Sequence, residues 1–495
     1  MENKKIKVLL VETSRTYSKS SKGVRLSLPL GPLYLAAVLE GEGFDVSVQD
    51  CKIAKKTRIK EISNDEVHHG LDNDDFKSLV EKENPDIVGV SAMFTAQFEN
   101  YLEATKLIKQ VNSDILVVGG GPHFSVIDKD FLLTNQDTDC YVSGEGEIPF
   151  LEIAKAIKAG KSLVGIGGVT TIERNTNWGK SKITSIDNEL YRDLDTIPFP
   201  AYDKIDMDMF FDHQLNGCKG YNGPLSARLD QGGKKTVSMI TSRGCPYKCT
   251  FCSIALHMGK PVRAHSAKYV VDHIEYLVNN YGVEHIFFED DNLTFRMDRT
   301  REYCETILDR GINFEWTTPN GVRADKLDLD LLKLMKTAGC KGLIVGTESG
   351  DQDTLTNIIK KDLNIDTVIQ VAKWCKELDI PLTQFLIIGF PGETKQKMQR
   401  TIDFAVEMYD KYRVKPLLNI ATPLIGTELY DVVVEGQLLV QDATPHALAG
   451  ATQPIIGSGM IETDEFTPED LNGFAMQLNS LIQEINSNFD IKYHV

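Results

Sequence analysis

The stretch Thr236-Val237-Ser238-Met239-Ile240-Thr241-Ser242-Arg243-Gly244-Cys245-Pro246-Tyr247-Lys248-Cys249-Thr250-Phe251-Cys252 decides how most of this chain folds. Thr236 to Thr241 read as a strand, and a loop carrying three cysteines follows it directly. Working outward, further strands are predicted at His285 to Glu289, Phe314 to Thr318, Gly342 to Gly346, Thr383 to Ile388 and Pro416 to Ala421. Between them, apolar residues recur at helical spacing over Lys268 to Tyr281, Asp298 to Asp309, Leu329 to Ala338, Thr367 to Leu378 and Lys395 to Tyr409. Six β/α units in succession imply a partial (β/α)6 TIM-type barrel over residues 236–430, with its chemistry at the strand tops. The cysteine loop lies at the first of those tops.

A second alternating series occupies residues 1–160. Strands are predicted at Ile6 to Val11, Asp45 to Gln49, Ile87 to Ser91, Ile115 to Val118 and Asp139 to Val142, and helices at Leu33 to Glu40, Asp75 to Glu83, Phe98 to Gln110 and Pro149 to Lys158. This is a doubly wound, Rossmann-like α/β pattern, which binds ligands beyond its strand C-termini. Those ends carry the loops Ser91 to Thr95, Gly119 to His123 and Ser143 to Glu147, small or glycine-rich enough for a flat ligand to approach. Residues 161–235 lose the periodicity and contain Asn175-Thr176-Asn177, Pro198-Phe199-Pro200 and a glycine-rich run from Gly217 to Gly233, the composition of a linker. Residues 431–495 form a small helical segment. Thr467-Pro468-Glu469-Asp470 supplies an N-cap, a first-turn proline and an acidic first turn, and Leu471, Phe474, Leu478, Leu481, Ile482 and Ile485 share one face of the helix that follows.

Composition bounds the function. In 495 residues, 54 Lys and Arg stand against 71 Asp and Glu, a formal charge of -17, which argues against a nucleic-acid partner and for a small-molecule substrate. No signal peptide and no apolar run of membrane-spanning length is read, so a cytoplasmic location without a transmembrane segment is expected. The nine cysteines are an odd number spread along the chain, which disfavours a disulfide scaffold. Only Cys245, Cys249 and Cys252 lie close together. Three thiolates without a local fourth suit a four-iron cluster with one iron left open to a ligand. Zinc is the alternative, with His257 or His265 completing a Cys3His set.

At Cys245, Cys249, Phe251 and Cys252 the sequence resembles the radical S-adenosylmethionine enzymes, whose CxxxCxxC motif places an aromatic before the third cysteine. The resemblance implies that S-adenosylmethionine chelates the open iron and is cleaved by one electron to a 5'-deoxyadenosyl radical. The later strand ends match as well, at Glu289-Asp290-Asp291-Asn292, Asn320-Gly321-Val322-Arg323, Gly346-Thr347-Glu348-Ser349-Gly350, Gly389-Phe390-Pro391-Gly392-Glu393 and the PxxGT segment Pro423 to Thr427. Phe251, Asp290, Asn320, Glu348, Ser349 and Ile388 are thereby implied as S-adenosylmethionine contacts, with capping of the next helix as the lesser alternative for Asp290 and Asp291.

The N-terminal stretches Pro29 to Ala37, Pro85 to Ser91, Gly119 to His123 and Gly144 to Glu147, with Asp195 to Asp203 in the linker, resemble the cobalamin-binding branch of that family. Ser91, Thr95, Gly119, Gly120, His123, Glu145 and Gly146 are implied as cobalamin contacts. The DxHxxG motif that gives cobalt a histidine in many corrin proteins is absent, and His68-His69-Gly70 is a near miss. Two readings stay open: a corrin held without a protein histidine on cobalt, or a sheet that binds none. The resemblance implies a cobalamin-dependent methyltransferase acting on an unactivated carbon, or secondarily phosphorus, with a flavodoxin- or ferredoxin-like one-electron reductant. A non-methylating radical enzyme is the alternative, and a corrin- or metal-binding sensor is a third.

Overall fold

In the computed structural model of the chain, residues 5–18, 26–64, 66–173, 181–222, 233–445, 447–448 and 459–488 are described. Asn175-Thr176-Asn177 and part of the run from Gly217 to Gly233 lie outside them. The chain divides into two compact units, Met1–Ser238 with Leu256–Gly259 and Met239–Ala255 with Lys260–Val495.

The first unit is built on a seven-stranded sheet. Its strands are β1 (Lys7–Glu12), β2 (Asp45–Asp50), β3 (Ile87–Ser91), β4 (Leu116–Gly120), β5 (Cys140–Val142), β6 (Val169–Glu173) and β7 (Lys182–Ser185), in the order β7-β6-β5-β4-β3-β1-β2. The first five pair in parallel, as expected of βαβ units. Helices Leu30–Gly41, Asn73–Glu83, Phe98–Val111 and Glu147–Lys158 connect or follow them. Both faces of the sheet are covered: Val8, Leu10 and Val118 pack with Leu39, Phe150 and Ile153, while Leu9, Val11, Val88 and Val90 pack with Val80, Tyr101 and Ile108. That explains the continuous apolar runs of these strands.

The expected boundary at residue 160 is not where the sheet ends. β6 and β7, from the predicted linker, add to it in antiparallel fashion. Their short β-branched runs carry no helical partner, so the alternation that marked the other strands gave no signal. A three-stranded antiparallel sheet, Arg15–Ser18, Glu66–Gly70 and Arg58–Glu61, was also not anticipated, and it takes up His68 and His69.

The second sheet runs β8 (Thr236–Met239), β9 (His285–Phe288), β10 (Glu315–Thr317), β11 (Cys340–Glu348), β12 (Leu382–Ile388) and β13 (Lys415–Ile420), each beside its neighbour in sequence. Pairings from β9 onward are parallel. Helices Ala267–Tyr281, Met297–Asp309, Leu329–Thr337, Ile365–Glu377 and Lys395–Tyr412 alternate with the strands, which gives the open, partial barrel. The C-terminal helix Pro468–Asn488 begins with a reciprocal cap, Thr467 N donating to Asp470 Oδ2 and Asp470 N to Thr467 Oγ1. Its Leu478 and Ile482 pack with Leu386, Ile402 and Ala405, and its Leu471 joins the cluster around Ile388 and Phe390.

Candidate functional site

Of the nine cysteines, Cys245, Cys249 and Cys252 are the partly exposed ones, and the other six are buried. Their loop is fastened at several points. Ser242–Arg243 pairs with Arg263–Ala264, so the loop leaves and returns at one place. Thr250 N donates to Ile359 O at 3.0 Å and Thr250 Oγ1 to Ile358 O at 3.2 Å. These acceptors lie at the end of a π-helical turn over Thr354–Ile358, where the last carbonyls of a helix have no intrahelical donor. Tyr247 lies under the Arg323 guanidinium, 3.7 Å from the ring centroid, and Phe251 packs on Phe390 at 5.9 Å.

Burial pushes the three thiols up, Cys252 to about 12. At Cys245 and Cys249 the cations Arg323 and Lys361 act in the opposite direction, favouring thiolate. Such thiols ionise when a metal takes the place of the proton. Three thiols within eight residues, with no fourth in the loop, fit a four-iron cluster, which would meet each thiolate at a separate iron and leave one iron open.

Glu348 and Lys361 form the most enclosed ion pair at these strand tops, Oε1 to Nζ 2.8 Å, with side chains 10% and 7% exposed. Glu348 ends β11 with φ +71 after a register shift, a strained conformation that turns its carboxylate back over Gly346. A Cβ on Gly346 would stand 2.7 Å from Glu348 Oε1 and 2.9 Å from Lys361 Nζ, which explains the glycine. Lys361 escaped the sequence reading because it falls between predicted elements. Asn320 donates to Glu289 O at 2.7 Å, tying the top of β9 to the end of β10. Asp291 lies half-buried beside the cysteine loop, and burial, helped by Asp290, raises its carboxyl to about 7.

Three residues expected at S-adenosylmethionine are committed elsewhere. Asp290 is buried and accepts from Thr241 N at 3.1 Å, Thr241 Oγ1 at 2.8 Å and Ser242 Oγ at 2.5 Å. Ser349 is fully buried, with Oγ 3.0 Å from Thr401 Oγ1 and accepting from Asp351 N. Ile388 is fully buried in the apolar cluster of Phe390 and Leu471. Each of the three lies at or just beyond a strand end, with its side chain directed into the protein.

In the first unit, the chain leaves β1 for opposite sides of the sheet at β2 and β3, and the crevice beyond such a reversal is where α/β sheets take ligands. Phe94 beside it is 48% exposed, and a Cβ on Gly120 would meet nothing within 4 Å. Thr95 Oγ1 and His123 Nδ1 are 3.0 Å apart, which joins two of the predicted loops. His123 Nε2 is buried with no partner, and burial lowers the ring to about 4, so it is neutral. An open cradle with an orphaned ring nitrogen at its wall fits a corrin. Two expected contacts face away from it: a Cβ on Gly119 would strike Phe124 and Tyr101, and Glu145 is buried, accepting from Tyr191 N at 3.3 Å. Asn188 completes that clasp by donating to Ser143 O and Glu145 O.

A buried charge cluster behind the crevice was not foreseen. Lys52 lies 2.8 Å from Asp50 Oδ1 and 3.7 Å from Glu12 Oε1, and Arg15 donates to Glu12 at 3.0 Å while touching Met93 Sδ. His69 is fully buried beside these cations, which together with burial holds it neutral at about 3.

Residues 239–405 match the family model of the radical SAM superfamily, and residues 26–154 that of the B12 binding domain. The chain is 30% identical over 450 residues to the cytidylyl-2-hydroxyethylphosphonate methyltransferase of Streptomyces wedmorensis, covering 86% of this chain and 80% of that one. It is 31% identical over 412 residues to an uncharacterised methyltransferase of Pyrococcus horikoshii, covering 83% and 80%. Among solved structures, the radical S-adenosylmethionine methyltransferase TsrM of Kitasatospora setae, with cobalamin and a [4Fe-4S] cluster bound, superposes with a TM-score of 0.63 at 20% identity, covering 89% of this chain and 79% of that one. That likeness is one of fold.

Proposed function

We propose, for a chain that belongs to the cobalamin-dependent radical S-adenosylmethionine methyltransferases, that it methylates an unactivated carbon of a small metabolite, with phosphorus as the second choice of acceptor. Its cofactors are a four-iron cluster, S-adenosylmethionine and cobalamin. When bound, the cluster and S-adenosylmethionine supply a 5'-deoxyadenosyl radical, and the corrin supplies the methyl group.

The observation that carries the reading is the open cysteine loop, flanked by Lys361 and Arg323, in a chain that also carries the crevice between β1 and β3. Cys245, Cys249 and Cys252 hold the cluster, and the two cations offset the charge of three thiolates. Glu348, held by Lys361, and Asn320 offer polar atoms to S-adenosylmethionine, and Phe251 offers an apolar face. Ser91, Thr95, Gly120, His123 and Gly146 line the corrin side, with the neutral His123 ring fixed by Thr95. No helix among the described residues is long and apolar enough to cross a membrane, and a cytoplasmic site with a small flavodoxin or ferredoxin as electron donor accords with the reading.

The test is iron, sulfide, zinc and corrinoid content of protein purified anaerobically from cobalamin-fed cells, followed by product mass. Four irons with one corrin, and a product heavier by one CH2, support the proposal. Four irons without corrin, or an unmethylated product, point to another radical reaction, and zinc alone refutes both. Cys249→Ala must abolish 5'-deoxyadenosine formation.

A further inference from the structure

Asp290 stands where a carboxylate was expected to meet S-adenosylmethionine, yet its oxygens are turned inward. They accept the backbone N–H and hydroxyl of Thr241 and the hydroxyl of Ser242, the residues that lead from β8 into the cysteine loop. Arg299, on the helix after β9 and also buried, reaches the same place from the other side. Its Nη2 donates to Thr241 O at 2.9 Å and its Nε to His265 O at 2.6 Å. His265 N donates in turn to Thr241 O, and Ser242–Arg243 pairs with Arg263–Ala264. Thr241 is thus held at both its N–H and its C=O, and the returning strand is held at His265 O. Both roots of the segment that carries Cys245, Cys249 and Cys252 are gripped by one buried acid and one buried base.

We propose that Asp290 and Arg299 are positioning residues for the cluster loop: they fix its two roots so that the three thiolates are presented in place, and Asp290 is not a ligand of S-adenosylmethionine. The physical case is that charge-assisted hydrogen bonds are the strong ones, and several on one carboxylate in a dry interior leave its donors little freedom. Groups that orient ligands in this way govern how tightly a metal centre is held. Oδ1 is taken up by Thr241 and Ser242, and Oδ2, which shares the Thr241 N–H, is shut off from solvent with the rest of the buried side chain.

Asp290→Asn tests this in the full-length protein, since it keeps the shape and removes the charge. The expected result is native circular dichroism with a reconstituted cluster that loses iron to a chelator faster by about tenfold to a hundredfold. The electron paramagnetic resonance signal of the reduced cluster should shift, while S-adenosylmethionine still perturbs it at the concentration the parent needs. A merely structural role would not move that signal. Parental iron retention and signal combined with lost S-adenosylmethionine binding would overturn the proposal and make Asp290 a ligand. Should Asp290→Asn fail to fold, Ser242→Ala removes one donor only and must give faster iron loss in the same direction; an unchanged rate there refutes the clamp.

Discussion

Glu393 is fully buried at the turn after β12, and its Oε2 accepts from Gly389 N at 2.9 Å and Phe390 N at 3.1 Å. Oε1 has no partner among the described residues. Burial is the main reason its carboxyl rises from the usual 4.5 to about 7; the two backbone donors oppose the rise only in part. The folded protein therefore keeps this proton to a higher pH than the unfolded chain does. Stability is fully present below pH 4.5 and is lost as pH rises through about 7, by about 3 kcal/mol in total for a displacement of this size. Glu393→Gln stays neutral throughout and can accept both amide bonds through its remaining oxygen. Its urea-unfolding free energy, subtracted from that of the parent at each pH between 4.5 and 8, should change by about 3 kcal/mol, the variant gaining on the parent as pH rises. Subtraction removes the contribution of the other titrating groups. Parallel pH profiles would refute the reasoning, because they would mean that the site is wet enough for Glu393 to ionise normally. The turn also carries Phe390, which backs Phe251 beside Cys252, so Glu393→Ala should in addition weaken cluster retention.

Gly346→Ala presses a methyl group against the ends of Glu348 and Lys361 and should destabilise the protein by about 1–2 kcal/mol, the scale of overpacking a filled site; thermal unfolding of the iron-free protein measures it, and no loss at all would count against the enclosed geometry. His123 is buried neutral, its ring lowered from 6.5 to about 4, so stability is present above pH 6.5 and falls as pH drops towards 4. His123→Gln should flatten that acid limb in denaturant titrations and also release corrin faster in a spectrophotometric dialysis. Cys249→Ala should yield no 5'-deoxyadenosine by mass spectrometry while leaving the circular dichroism spectrum intact.

The strands and helices of both α/β series were legible because periodicity is local: β-branched runs and 3.6-residue spacing lie within each segment, and the observed elements fall within a few residues of the expected ones. The cysteine loop was legible for a related reason, since its three thiols sit within eight residues. What the sequence by itself determined was therefore the order of β/α units and the grouping of Cys245, Cys249 and Cys252 at the first strand top of the second series. Tertiary structure decided which strand-top side chains face outward. Asp290 and Glu348 occupy similar positions, but Asp290 meets hydroxyls 48 and 49 residues away, while Glu348 is turned by a strained residue onto Lys361. β6 and β7 likewise extend the first sheet only because its edge at β5 offers them backbone partners. Burial and charge pairing between distant segments set these outcomes, and no local pattern encodes them.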